Sequence, residues 1–309
     1  MRAANETRAP ALLWSTIVVP AGRRVWTYLR SVPLTLSILG IFLVAGAVTG
    51  SFLSGPPEEL LSLAGVSGPG LKAGNWWALV TALFFATNPL AYLVAALMIL
   101  LLLGVAERNL GPLRTGALFL GGQFAAVTVF LLVTQLARYM GDGWLGLMVD
   151  SSLIGPYAAV LATSLAASGK LPVLWRRRLR TAVLSVSLLL VLYVGHAETV
   201  IGLVGAVVGL AASGWNQGEH RQLHLSRSSG RETRNLLALT VAVFAVGPIL
   251  TAVARTATGP LAMLRDVVLN PLPTLAQLQA NCGATVEASC LEVGAAGFTG
   301  PFGLAVAVV

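Results

Sequence analysis

The sequence predicts an all-α polytopic membrane protein, and three observations carry that expectation. Hydrophobic residues make up 56% of the 309 and charged residues only 10%, with a mean hydropathy of +0.81, which excludes an ordinary soluble domain. Apolar runs near the spanning length of about 17–25 residues fall at 32–53, 85–104, 115–136, 153–169, 181–196, 199–214 and 236–256, and an eighth starts near Val293 and is still running at Val309. The basic residues are one-sided. With the N-terminus in the cytoplasm, sixteen of the twenty Lys and Arg fall on inner segments and eight of the twelve acids on or near the outer side. The net charge of +8 is then mainly topology, and no nucleic-acid partner is expected.

The elements follow in order. Residues 1–31 read as a cytoplasmic or interfacial segment, because some thirty polar and mixed residues precede the first span and no small-residue cleavage pattern follows it. Within it, Leu12–Tyr28 carries Trp14, Trp26 and Tyr28 in an amphipathic stretch suited to the interface. After the first span comes a long outer segment, 54–82, that ends in the headgroup anchors Trp76 and Trp77. Asn88 and Pro89 mark the start of the next helix. That leaves Trp76–Ala86 as a partly inserted stretch that neighbouring protein must cover. LGVAERNLGPLR predicts a compact cytoplasmic loop, bracketed by Gly104 and Gly111, in which Glu107 and Arg108 serve helix capping and an intraloop ion pair. Gly121, Gly122 and Gln123 on the following helix point to close packing.

The segment GDGWLGLMVDSS leads into SSLIGPYAAV. A helix over Ser152–Ser168 would span about 25 Å at ~1.5 Å per residue, short of the ~30 Å hydrocarbon layer. The reading is therefore a short central helix reached by a dipping loop. Lys170, Arg176, Arg177, Arg178 and Arg180, beside Trp175, form a cluster that attracts anionic headgroups, with plain inside anchoring as the simpler alternative. Gly202, Gly205 and Gly209 form a small-residue ridge on the sixth span, with His196 and Glu198 at its outer end.

Residues 215–235 form a basic inner loop, where His220 and His224 lack a third ligand, so no metal and no cofactor are expected. Residues 236–309 hold the seventh helix, an extracytoplasmic segment and the eighth run. Cys282 and Cys290 lie in that outer segment, where a disulfide is favoured over free thiols.

Taken in this order, the features resemble the rhomboid intramembrane protease superfamily over about residues 30–214. The resemblance implies a six-helix rhomboid-like core at 32–214 with a C-terminal transmembrane extension. In that family a Gly-x-Ser-Gly motif opens the fourth helix, a sixth-helix histidine activates the serine, and a second-helix histidine and asparagine serve the oxyanion. The matching register here is Gly155, Pro156, Tyr157 and Ala158, so tyrosine stands at the nucleophile. The histidine position falls on Gly202, and the oxyanion pair on Tyr92 and Ala96. No catalytic constellation is expected within residues 1–309, and the resemblance is to a pseudoprotease.

An atypical serine protease would have to use Ser151 or Ser152 with His196, oriented by Glu198 or Asp150. The same composition and helix order is similar to the membrane part of actinobacterial aminoacyl-phosphatidylglycerol synthases, the lysyl-phosphatidylglycerol synthetase or flippase proteins. That likeness implies a multi-pass protein of the bacterial plasma membrane that binds or relocates an anionic, aminoacylated phospholipid. A soluble transferase domain would then lie beyond Val309 in the same natural chain. A scaffold that binds another membrane protein is the alternative.

Overall fold

A computed structural model describes residues 27–141, 143–215 and 230–245. These are helical, and extended pairing among them is confined to an isolated antiparallel bridge between Val66 and Leu153. The principal helices are α1 (Pro33–Val48), α2 (Pro89–Leu110), α3 (Pro112–Tyr139), α4 (Tyr157–Ala167), α5 (Val173–Tyr193), α6 (Ala197–Trp215) and α7 (Gly230–Ala245). Three of them are long and apolar enough to cross a membrane: α2, α3 and, over Ala197–Gly214, α6. The chain is thus a multi-helical membrane-associated protein.

The helix starts follow from local chemistry. Asn88 caps α2, its Oδ1 accepting from the Ala91 N–H at 2.8 Å, and Pro89 occupies the first helical position where no N–H is needed. Val32 before α1 offers no side-chain cap, and the orphan donors there are satisfied from elsewhere in the fold. Glu107 of α2, 2% exposed, accepts from the N–H groups of Leu34 and Thr35 at 2.9 and 2.8 Å and from the Thr35 hydroxyl at 2.7 Å. A carboxylate at a helix N-terminus also meets the positive end of its dipole.

This corrects the expected loop at LGVAERNLGPLR. The helix continues through Gly104 to Leu110, with a π-helical turn at Ile99–Leu103. The chain reverses only at Gly111, whose φ of 82° is in the left-handed region. Glu107 therefore holds α1 rather than forming an intraloop pair. Gly104 leaves room for Tyr28, whose hydroxyl donates to the Leu100 carbonyl at 2.9 Å. The Arg108 guanidinium lies over the Tyr28 ring, 5.4 Å from its centroid. Burial raises the Tyr28 hydroxyl above its ordinary pKa, so it remains a donor.

Between α1 and α2 the chain forms short helices at Glu58–Ala64, Gly68–Lys72 and Ala78–Thr81 and a 3₁₀ turn at Ala82–Phe84. Ala78, Leu79, Ala82, Leu83 and Ala86 are buried while Trp76 and Trp77 are exposed, so protein covers most of the stretch expected to need cover. The bridge joins this segment to the one before α4. Val66 donates to the Leu153 carbonyl at 2.9 Å and Leu153 returns the bond at 2.7 Å.

α4 has eleven residues, and all of Ala158–Ala167 are buried. At ~1.5 Å per residue its length is about 16 Å, shorter still than the roughly 25 Å expected over Ser152–Ser168, because the helix begins only after the turn at Gly155 and Pro156. It packs most extensively on α6 and next on α3. A Cβ on Gly205 would lie 2.5 Å from the Ala158 carbonyl oxygen, and one on Gly209 would lie 2.6 Å from the Ala162 Cα. On the other flank, a Cβ on Gly122 would lie 2.7 Å from the Ala162 Cβ. The ridge is thus a backbone-to-backbone contact of the kind small residues permit.

α7 packs on α5, with the Ser185 and Thr240 hydroxyls 3.3 Å apart. The Cys282 and Cys290 pair, His220 and His224, the eighth run and most of Leu12–Tyr28 lie outside the described residues.

Candidate functional site

The site is assembled where α4 begins. Gly155 adopts a φ of 111° and donates its N–H to the Ala82 carbonyl at 2.8 Å, turning the descending chain into the helix. Tyr157 is then the first residue of α4, partly buried, and its hydroxyl reaches across to the Ala91 carbonyl of α2 at 3.3 Å. Opposite it stands Gly202 of α6, where a Cβ would lie 3.8 Å from the Tyr157 Cβ and 3.6 Å from Leu161 Cδ1. The two positions therefore face each other across the α4–α6 contact.

Tyr92 is completely buried on α2, its ring 4.9 Å from those of Phe42 and Phe52. A Cβ on Gly46 would lie 2.7 Å from that ring, so α1 closes over it. The Tyr92 hydroxyl is buried, near the Ala86 backbone and the Ser51 side chain. Ala96 follows one turn along α2 and supplies no polar atom. Glu198 lies in the first turn of α6, one turn before Gly202 and so on the same face. It is partly buried and within electrostatic reach of Tyr157.

The serines expected as candidate nucleophiles are engaged locally or set apart. The Ser151 hydroxyl donates to the Met148 carbonyl at 2.7 Å, and Ser152 packs beside Gly65 in the outer segment. Asp150 pairs with Arg138. His196 precedes α6, partly buried, and its carbonyl accepts from the Thr199 hydroxyl at 2.7 Å. Ser164 in α4 and Ser168 at its C-terminal cap bond to carbonyls three residues earlier, at 3.0 and 2.6 Å.

The basic cluster divides in two. Lys170 and Arg178 are exposed, and the Arg178 guanidinium lies 5.8 Å from the Trp175 ring centroid. Arg176 and Arg177 are partly buried at the same end of α5. Arg180 turns inward instead: its Nε donates to the Ser168 hydroxyl and a terminal nitrogen to the Ser213 hydroxyl, each at 2.8 Å. Ser168 and Ser213 pass their own protons to the Leu165 and Leu210 carbonyls, each at 2.6 Å. One guanidinium thereby ties the C-terminal ends of α4 and α6, where a cation also meets the negative ends of two helix dipoles. Sequence reasoning missed this role, and also the Glu107 cap. The signal for each was a charged residue bordering an apolar run, with the partners distant in sequence.

Comparison with known proteins adds one relative. An uncharacterized protein of Corynebacterium glutamicum is 28% identical over 210 residues, covering 63% of this chain and 25% of that protein. The chain thus spans about a quarter of the length of this curated relative. No family model matches the chain, and no solved structure does.

Proposed function

We propose that the chain is a non-proteolytic, rhomboid-like membrane module that binds or relocates an anionic, aminoacylated phospholipid within the bacterial plasma membrane. The observation that carries the first part is the facing of Tyr157 and Gly202. These are the positions where the resemblance puts a serine and a histidine, and neither residue present can form an acyl-enzyme with an imidazole base. A short buried α4, a glycine-ridged α6 and a loop that descends to the start of α4 support the six-helix reading of residues 32–214.

The lipid part rests on the basic end of α5. Lys170, Arg176, Arg177 and Arg178 flank Trp175 in sequence and the Arg178 guanidinium lies over its ring; Trp175 is an exposed aromatic suited to the headgroup level, and each cation near an anionic leaflet contributes about 1 kcal/mol. Arg180 is the structural member of the set and is left out of the contact surface. With the N-terminus inside, this end faces the cytoplasm. Three quarters of the Corynebacterium relative lies outside the match, which is consistent with such a module working beside further domains.

The test is native mass spectrometry of the full chain with phosphatidylglycerol, comparing the wild type with a variant in which Lys170, Arg176, Arg177 and Arg178 are changed to Gln. Lower lipid retention in the variant is the expected result. Equal retention at unchanged thermal stability overturns the proposal.

A further inference from the structure

The turn that joins the two halves of α2 is completed by a residue outside the helix. In a regular α-helix the Gly104 N–H would bond the Leu100 carbonyl. Here it bonds the carbonyls of Ile99 and Leu101, and the Leu100 carbonyl accepts from the Tyr28 hydroxyl at 2.9 Å. A carbonyl inside a membrane span needs such a substitute, because no water is at hand to serve it.

Tyr28 is built into that position. It lies among the helical residues 27–30 that precede α1, and the Arg108 guanidinium lies over its ring, 5.4 Å from the centroid. A Cβ on Gly104 would overlap the phenol oxygen, so the socket exists only because that residue is glycine.

A π-helical turn holds one residue more between its bonded groups than an α-helical turn does. Tyr92, Ala95 and Ile99 on its N-terminal side and Leu103, Ala106 and Glu107 on its C-terminal side are all buried. Glu107 fixes the C-terminal half against α1 through three hydrogen bonds. The N-terminal half meets the start of α4 through the long bond of 3.3 Å from Tyr157 to the Ala91 carbonyl. One residue is about 100° of α-helical rotation, so both halves keep these faces buried only while the extra residue stays in the turn. If the turn moves, the N-terminal half is the one free to rotate.

We propose that Tyr28 is a latch on this turn, through which the segment before α1 controls the Tyr157 side of the site. Seated, the phenol keeps the extra residue at Ile99–Leu103, and α2 presents the Ala91 carbonyl to Tyr157. Withdrawn, it leaves the Leu100 carbonyl to recover its α-helical bond from Gly104, and the extra residue passes toward Pro89, turning Ala91 away. The turn is thus a two-state element biased at one end of α2 and read at the head of α4. It acts independently of the basic end of α5.

Leu100–Leu103 is a run of identical residues, so deleting any one of them shortens α2 and changes nothing else. The full chain is labelled with 3-fluorotyrosine and placed in nanodiscs, and the Tyr157 fluorine resonance is assigned with Tyr157→Phe. Tyr28→Phe, which removes the bond and keeps the ring, should shift the population toward a second Tyr157 resonance roughly fivefold, the factor that one net hydrogen bond supplies. Tyr28→Ala, which empties the socket, should shift it further. Deleting one leucine should hold Tyr157 at its wild-type resonance and make it indifferent to Tyr28→Phe. Arg180→Met, which breaks a tie at the other end of α4, should lower the unfolding midpoint without a second resonance, and so separates a latch from a residue that only stabilises the fold. A Tyr157 resonance unmoved in both Tyr28 variants overturns the proposal, as does the same second resonance in Arg180→Met. A leucine deletion that does not fold, or that fails to cure Tyr28→Phe, overturns it as well.

Discussion

Gly205 of α6 lies against Ala158 of α4 so closely that a Cβ there would stand 2.5 Å from the Ala158 carbonyl oxygen, whereas at Gly202, one turn earlier, the nearest atoms are at 3.6 and 3.8 Å. The two glycines serve different ends. Overpacking a close contact costs about 1–3 kcal/mol, so Gly205→Ala and Gly209→Ala should each lower the thermal unfolding midpoint in detergent by several degrees. Gly202→Ala should leave it within about 0.5 kcal/mol of wild type.

The Glu107 cap predicts a second pattern. Removing the carboxylate strands the buried Thr35 N–H and hydroxyl, each worth about 1–3 kcal/mol when left unpaired, and the partly buried Leu34 N–H, which costs less. Glu107→Ala should therefore be the most destabilising single change on α2, at about 3 kcal/mol. Thr35→Val, which removes only the hydroxyl, should cost about 1 kcal/mol. Denaturant unfolding followed by helical signal separates the two.

Arg180 and Arg178 carry the same charge on one helix and should behave oppositely. Arg180→Met breaks the tie between Ser168 and Ser213 and should destabilise by about 2 kcal/mol. Arg178→Ala, at an exposed site, should stay within about 0.5 kcal/mol in unfolding assays. Any effect of Arg178→Ala should appear in lipid retention instead.

The facing of Tyr157 and Gly202 predicts no labelling by a fluorophosphonate probe above the background of heat-denatured protein. Changing Ser151 and Ser152 together to Ala should alter nothing, because Ser151 already donates to the Met148 carbonyl. Tyr157→Ser alone should also fail to label, since Gly202 provides no base and Ala96 no oxyanion donor.

Much of this architecture was legible from composition and spacing. The shortness of α4 follows from the apolar run between Ser152 and Ser168, and the glycine ridge announces the close α4–α6 contact. Asn88–Pro89 marks the start of α2 to the residue. What could not be read is what depends on pairs far apart in the chain. Glu107 reaches α1 across more than seventy residues, so local reasoning assigned it to its own turn. Gly104 resembles a breaker, yet it is a small residue inside a helix, present because Tyr28 needs the space. Arg180 reads as one more surface cation until the ends of two other helices converge on it. The site was legible as a set of positions, with Tyr157 opposite Gly202. The bond from Tyr157 to Ala91 was not, because a backbone carbonyl leaves no mark in a sequence.

The doubled backbone link between Val66 and Leu153 has a mechanical corollary. The segment leading to Tyr157 is tied at Leu153 to the outer segment that carries Trp76 and Trp77, so the start of the central helix and that outer segment brace one another.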